Sequence, residues 1–513
     1  VCRQNAQDDD FLYTLRNNLP IPALSPERVQ AECTGCGFSV YVIRCWKNLR
    51  KEKISSIFAW EKRFMVTARE LDRSIFRIAV PSILANITVP LVGLVDIAVA
   101  GHLDTSAAAL IGGISIGTML FDILYWNFEF LRISTGGLTA QAFGRTDWQE
   151  SANVLTKGVV LALIAAVIIL VLQWPFIKLS FLIIKCSPEA RDLAMKYFFI
   201  RVWASPATLS LMSIKGWFIG MQDSISSMFT DLIVNGINII VSIFLSLGIP
   251  GTVFNGIGFV GIAWGTVIAQ YSGLAFALVV IFIKYGKVVR GRLSLKSLKG
   301  GDMKQFMTLN ADFFVRSLCL IIVYISMTVI SARYGDVLLA SCSVILQLLM
   351  IFSYFTDGFA FSGEAICGKY YGRRDMRNVD AAVKRVFLWS TSVGMLFLLI
   401  YSLTGVPLLH LMTKDETVVN AAKEFLPWLA AMPLIGCPAF TWDGIYAGLT
   451  ASKPLRNSAL GSVAAFYLVW FLGICLIGQS GSMAIHILLA SYFAHLLFRS
   501  IYQTVKYKSL LKV

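Results

Sequence analysis

The chain of 513 residues is 57% apolar and only 15% charged, with a mean hydropathy of +0.69. That composition excludes a soluble globule and places the chain among multi-pass membrane proteins. A net charge of +15 would suit a nucleic-acid partner, but the basic residues sit in short loops between apolar runs, where they set membrane orientation.

Residues 1–64 stand apart as a polar, charged extension. Their longest apolar run, 37–43, is too short to span a bilayer or to act as the core of a signal peptide. The first methionine is Met65, which suggests native translation starting near it, with the upstream part a disordered or mis-assigned extension. A genuine cytoplasmic tail is the alternative. Cys33 and Cys36 have redox or metal spacing but no second pair, and the cysteines of the apolar runs read as small buried hydrophobes.

Beyond Met65, apolar runs occupy about 75–100, 107–143, 154–183, 190–221, 226–248, 258–285, 303–332, 337–370, 377–406, 417–449, 455–478 and 482–505. Each is long enough to cross a bilayer, so the expected fold is an all-α polytopic membrane protein with twelve spans. Loops 144–153, 286–302, 369–377 and 452–456, with both tails, hold most of the Lys and Arg, so both termini are expected in the cytoplasm.

The chain also repeats itself. Gly144-Arg-Thr-Asp147 recurs as Gly372-Arg-Arg-Asp375, and Gly216, Gly220 and Ser224 recur as Gly444, Gly448 and Ser452, all at a shift of 228 residues. Lys196, Phe198 and Pro206 recur as Lys423, Phe425 and Pro433 at a shift of 227. Six spans per repeat is an even number, so the halves share one orientation and are related by an axis along the membrane normal. The expected lobes are 65–290 and 291–513, joined through the basic 286–302 segment.

A charge within a span costs about 2.5–3.5 kcal/mol on insertion scales and normally faces a cavity or a partner. Asp96, in the first span beyond Pro81 and Pro90, is the leading candidate for a titrating group. A carboxyl in a low-dielectric setting can exchange a proton, or hold Na⁺ with neutral oxygens. Those prolines remove backbone hydrogen bonds and favour bending of the first helix. Asn235, Asn238 and Ser242 at helical spacing on the fifth span, and Thr266 on the sixth, could supply such oxygens. The competing reading is plain inter-helix hydrogen bonding.

Glu129 with Arg132, and Asp312 with Arg316, have the spacing of local ion pairs on one helix face. Asp357 matches Glu129 at the 228 shift. Lys215 matches Asp443, which raises a cross-lobe contact between them that opens and closes. The four histidines do not cluster, no phosphate-binding Gly-rich loop is present, and no zinc-hydrolase spacing occurs. Neither an enzyme, a primary pump nor a cofactor is therefore expected.

The strings PSILANITVPLVGLVDIAVAGHL (81–103), FLRISTGGLTAQAFGRTD (130–147), GIGFVGIAWGTVIAQ (256–270), NADFFVR (310–316) and WDGIYAG (442–448) resemble the MATE (multidrug and toxic compound extrusion) family, in its DinF-type branch. The resemblance runs from Met65 to the C-terminus. It implies a V-shaped pair of six-helix lobes that rock between outward- and inward-facing states. It also implies export of small amphipathic or cationic compounds in exchange for H⁺ or Na⁺. Asp96 matches the family's essential acid, and Asn238 and Thr266 match polar cation-site positions. Ser242 stands where related sequences often carry a second acid, which favours H⁺ over Na⁺, since hard cations prefer charged oxygen ligands. The expectation is a proton-coupled antiporter, monomeric, in the bacterial inner (plasma) membrane, acting on a small-molecule substrate. A lipid-linked precursor flippase of the same superfamily is the alternative, and a channel or scaffold is a third reading that the buried acids disfavour.

Overall fold

The computed structural model describes residues 66–510 apart from 102, 104–106, 185, 249–254, 299–300 and 479–480. The expectations for residues 1–64 and for Cys33 and Cys36 lie outside the described residues. What is described is helical, and residues 66–513 form one compact unit.

Helix α1 (Ala68–Gly101) continues through Pro81 and Pro90 without a break. Proline at 81 leaves the Arg77 carbonyl without its helical N–H donor. The Ser224 hydroxyl donates to that carbonyl at 2.9 Å and satisfies it from another helix. The second apolar run, expected as one span, is α2 (Ala107–Trp126) followed by α3 (Phe130–Gly144). In the interruption the Asn127 amide donates to the Ile123 carbonyl at 2.6 Å, competing with the backbone ladder. Helix α4 (Trp148–Ile183) is capped by the Asp147 side chain on the Glu150 N–H.

The expected fourth span is broken as well. It consists of α5 (Pro188–Arg201), a 3₁₀ turn Val202–Ala204, and α6 (Ser205–Gly220). Pro206, in the first turn of α6, has no N–H for the Val202 carbonyl. Helices α7 (Ser224–Leu247) and α8 (Phe259–Lys284) complete the first half, and single turns at Gly286–Val289 and Leu295–Leu298 lead onward.

The second half comprises α9 (Gly301–Ser331), α10 (Asp336–Gly372), α11 (Met376–Met412), α12 (Glu416–Lys423), α13 (Leu426–Gly448), α14 (Ser452–Ile477) and α15 (Gly481–Leu510). Helices α12 and α13 meet at a bend of 58°, just before Pro427, which cannot donate to the Lys423 carbonyl. Among the described residues ten helices are long and apolar enough to span a bilayer, and this bent pair makes an eleventh. The broken α5–α6 pair, which stands where a fourth span was expected, is not among these ten or eleven, so the described residues support fewer crossings than the twelve expected.

The repeat extends to backbone detail. Outside glycine, positive φ occurs at Thr146 and Arg374 (57° and 60°) and at Gln222 and Thr450 (63° and 51°), two pairs separated by 228 residues. The paired glycines make equivalent close approaches. A Cβ on Gly216 would lie 2.3 Å from the Arg132 carbonyl oxygen, and one on Gly444 2.0 Å from that of Ala360. Gly144 would meet the Lys369 carbonyl at 2.0 Å and Gly372 that of Gln141 at 2.2 Å, so this last pair brings the two halves together. The largest buried apolar cluster runs through both halves, from Leu71, Ile75 and Ile78 of α1 to Phe359, Ile366 and Val383 of α10 and α11.

Candidate functional site

Two polar regions emerge, one within the first half and one between the halves. In the first, Asp96 of α1 is buried at 5% exposure, and its Oδ1 has no hydrogen-bond partner. Its charge is felt by Arg201 and Tyr197 of α5, and Arg201 also acts through space on Asp122 of α2. Arg201 is itself held locally: it donates to the Tyr197 hydroxyl at 2.9 Å and lies over the Phe121 ring at 4.8 Å. Asp96 is thus close enough to sense a cation but is not tied to it by an ion pair. Sequence reading singled out Asp96 but not Arg201, whose position depends on how α5 packs against α2.

Of the polar residues expected around Asp96, three come together. Thr230, Asn238, Ser242 and Ser246 are buried along one face of α7. The Asn238 amide donates to Thr266 Oγ1 of α8 at 3.0 Å, and Ser242 Oγ lies 3.5 Å from Asn238 Oδ1. Small residues permit this: a Cβ on Gly265 would lie 2.2 Å from Ser242 Oγ. Asn235 instead binds α1, donating to Thr88 Oγ1 at 2.6 Å. None of the hydrogen bonds among the described residues joins Asp96 to this group.

In the second region, Arg132 of α3 stands between two carboxylates. It pairs with Glu129, as the spacing suggested, and its Nη1 donates to Glu364 Oε2 of α10 at 3.0 Å. Its guanidinium lies 4.2 Å from the Phe361 ring centroid. Glu364 is fully buried and its Oε1 has no partner; that oxygen fits only because residue 136 is glycine, where an added Cβ would lie 2.0 Å from it. Sequence reading passed over Glu364, although an acid inside the 337–370 run was the available signal. Asp357, about two turns earlier on α10, is half-buried and is influenced by Arg132 and Glu129. Ser134 donates to Asn310 of α9 at 2.7 Å, Gln141 to the Gly448 carbonyl at 2.9 Å, and Gln222 to the Ala365 carbonyl at 2.7 Å. Arg385 and Trp389 of α11 both bind Asp72 of α1.

Two expected pairings are corrected. Asp312 and Arg316 do not pair with each other. Asp312 accepts from Arg456 at 2.6 Å and from Ser452 at 2.7 Å, whereas Arg316 pairs with Asp443. Nor does Lys215 meet Asp443: Lys215 pairs with Asp231 of α7 at 2.8 Å, and Asp443 is held by Arg316, Arg499 and Gln503. Asp312 and Arg316 each find a partner on another span in place of the one at helical spacing, whereas Lys215 finds Asp231 only 16 residues on, on the next helix. Residues repeated at a fixed shift occupy equivalent places in the two halves, and equivalent places need not touch.

Comparison with known proteins agrees with this architecture. The MatE family model matches residues 81–244 and 313–456. The chain is 33% identical over 405 residues to DNA damage-inducible protein F of Escherichia coli (strain K12), covering 77% of this chain and 85% of that protein. It is 22% identical over 393 residues to protein DETOXIFICATION 44, chloroplastic, of Arabidopsis thaliana, covering 74% and 73% of the two chains. Among solved structures, an outward-facing multidrug resistance MATE family transporter superposes with a TM-score of 0.75 at 15% identity, over 86% of this chain and 96% of that one. A transporter of the MOP superfamily from Pyrococcus furiosus superposes with a TM-score of 0.77 at 15% identity, over 86% and 97%. With two helical halves joined as described and the family model spanning both, this chain belongs to the MATE family of multi-pass membrane transporters.

Proposed function

We propose that this transporter exports small amphipathic or cationic molecules in exchange for H⁺, by alternating access, from the cytoplasmic side of a bacterial inner membrane. The observation that carries the reading is Asp96: a buried carboxyl with an unpartnered oxygen and a nearby but unbonded guanidinium. Ionised, Asp96 attracts Arg201; protonated, it releases that attraction, so proton binding changes the relative energy of two packings of α1 against α5. A ligand shifts such an equilibrium only by its differential affinity for the two states. Asn238, Thr266 and Ser242 form a neutral polar wall in the same half. Their mutual hydrogen bonds and the absence of a second carboxylate among them favour a proton over Na⁺.

The lobes that rock are 65–290 and 291–513, each carrying one copy of the repeat. The halves close against each other where the basic loops near 145 and 373 emerge. With those loops in the cytoplasm, as the positive-inside rule favours, the end at which the halves close is the cytoplasmic one. The decisive experiment is transport in proteoliposomes with an imposed pH or Na⁺ gradient, comparing the wild type with Asp96→Asn. Loss of pH-driven export with normal folding supports the reading; undiminished export by the variant refutes it.

A further inference from the structure

A cavity of about 920 Å³ lies between the halves, away from Asp96, at the end where the basic loops emerge. Arg145, Asp147, Glu150 and Lys157 line it from the first half, and Lys304, Asp312, Ser452 and Lys453 from the second. Lys157 is the unusual member. Its side chain is 4% exposed, yet the nearest carboxylate oxygen, on Glu150, is 3.8 Å away, beyond hydrogen-bonding distance. An ammonium has three donors and no acceptor, and none of the hydrogen bonds among the described residues uses those of Lys157, which lines the cavity.

The acids of the cavity are already engaged. Asp147 caps the Glu150 N–H at 3.0 Å, and Asp312 accepts from Arg456 and Ser452. Glu150 accepts from Asn153 at 3.4 Å and is the distant partner of Lys157. Arg145, Lys304 and Lys453 have no ion-pair partner among the described residues. The charge left over is positive and comes from both halves.

We propose that this cavity is a binding site for a phosphate group, carried by a lipid headgroup or by a soluble anion. Lys157 receives the phosphate at the inner wall, and Arg145, Lys304 and Lys453 close around it from opposite halves. Phosphate oxygens are strong acceptors for ammonium and guanidinium groups. Because the four cations divide between the end of α3, α4, α9 and the start of α14, an occupied site joins the two halves. It therefore favours the form in which this end is closed.

The test uses the full chain in detergent stripped of anionic lipid, with thermal unfolding followed against added inorganic phosphate and, separately, short-chain phosphatidylglycerol. A saturable rise in melting temperature is expected with at least one probe. Response to phosphate alone identifies a soluble anion as sufficient, and response only to phosphatidylglycerol identifies a headgroup; either supports the site. Lys157→Gln and Lys453→Gln should each weaken the apparent affinity about tenfold, the loss of one charge-assisted contact. Lys414→Gln, outside the cavity, should leave it unchanged. Lys453 is exposed, so its variant reports on the site even if Lys157→Gln folds poorly. No response to either probe, or an equal response from wild type and Lys453→Gln, overturns the proposal.

Discussion

Arg132 and Glu364 lie 232 residues apart and meet across the two halves at 3.0 Å, with Glu364 fully buried. Breaking a buried pair by removing one partner costs about 3–5 kcal/mol when it strands a charge, and less here because Arg132 keeps Glu129. Glu364→Gln is expected to destabilise by about 1–3 kcal/mol and to loosen the closed end. A rise in thiol labelling of Ala140→Cys, at the α3–α10 contact, would report the loosening. Unchanged labelling and melting would show that the pair does not hold the halves together.

The two arginines on Asp443 differ in kind from that pair. Without Asp443, Arg316 and Arg499 would face each other across a buried site with no carboxylate between them. Asp443→Asn should therefore cost about 3–5 kcal/mol, measured as reduced yield and melting temperature. The exchange Lys215→Asp with Asp443→Lys should be worse than either single change, because Lys215 belongs to Asp231.

Glycine positions separate contact from mere flexibility. Gly372→Ala sets a Cβ 2.2 Å from the Gln141 carbonyl, so backbone from the other half must move. Gly93→Ala in α1 meets nothing within 4 Å and should stabilise by about 0.5–1 kcal/mol through the unfolded chain. Melting temperatures moving in the same direction for both would contradict the assigned packing.

Ser224 substitutes for the donor that Pro81 lacks. Ser224→Ala should destabilise by about 1 kcal/mol in the wild type. In a Pro81→Ala background the helix supplies its own N–H, and the same change should cost clearly less. A double-mutant cycle with no coupling would rule out this compensation.

Asp223 lies in the turn between α6 and α7. Burial raises its pKa, but hydrogen bonds from Lys284, Ser226 and Tyr285 outweigh burial and leave it below the ordinary carboxylate range. A group depressed in the folded state contributes stability that is complete above its unfolded pKa and is lost as pH falls through the folded one. Asp223→Asn should thus lower the melting temperature at neutral pH, with the difference shrinking under strongly acidic conditions. A pH-independent difference would point to lost packing rather than lost charge.

Composition and hydropathy by themselves determined that this chain crosses a membrane many times, because transfer of apolar side chains into lipid is a local, additive property. The 228-residue shift exposed the two halves for a similar reason: equivalent glycines are required wherever equivalent backbones approach. Asp96 was legible as a buried acid because a carboxyl within a long apolar run is costly wherever the run lies. Which group answers each charge was decided only by tertiary structure. Arg201 near Asp96, Glu364 on Arg132, and Arg316 with Arg499 on Asp443 come from separate helices. The sequence spacings that suggested Asp312 with Arg316, and Lys215 with Asp443, say nothing of which helices pack together. Helix breaks divide the same way. Pro206 and Pro427 mark theirs in sequence, while the interruption at 127–129 has no proline and became visible only through the Asn127 side chain on the Ile123 carbonyl.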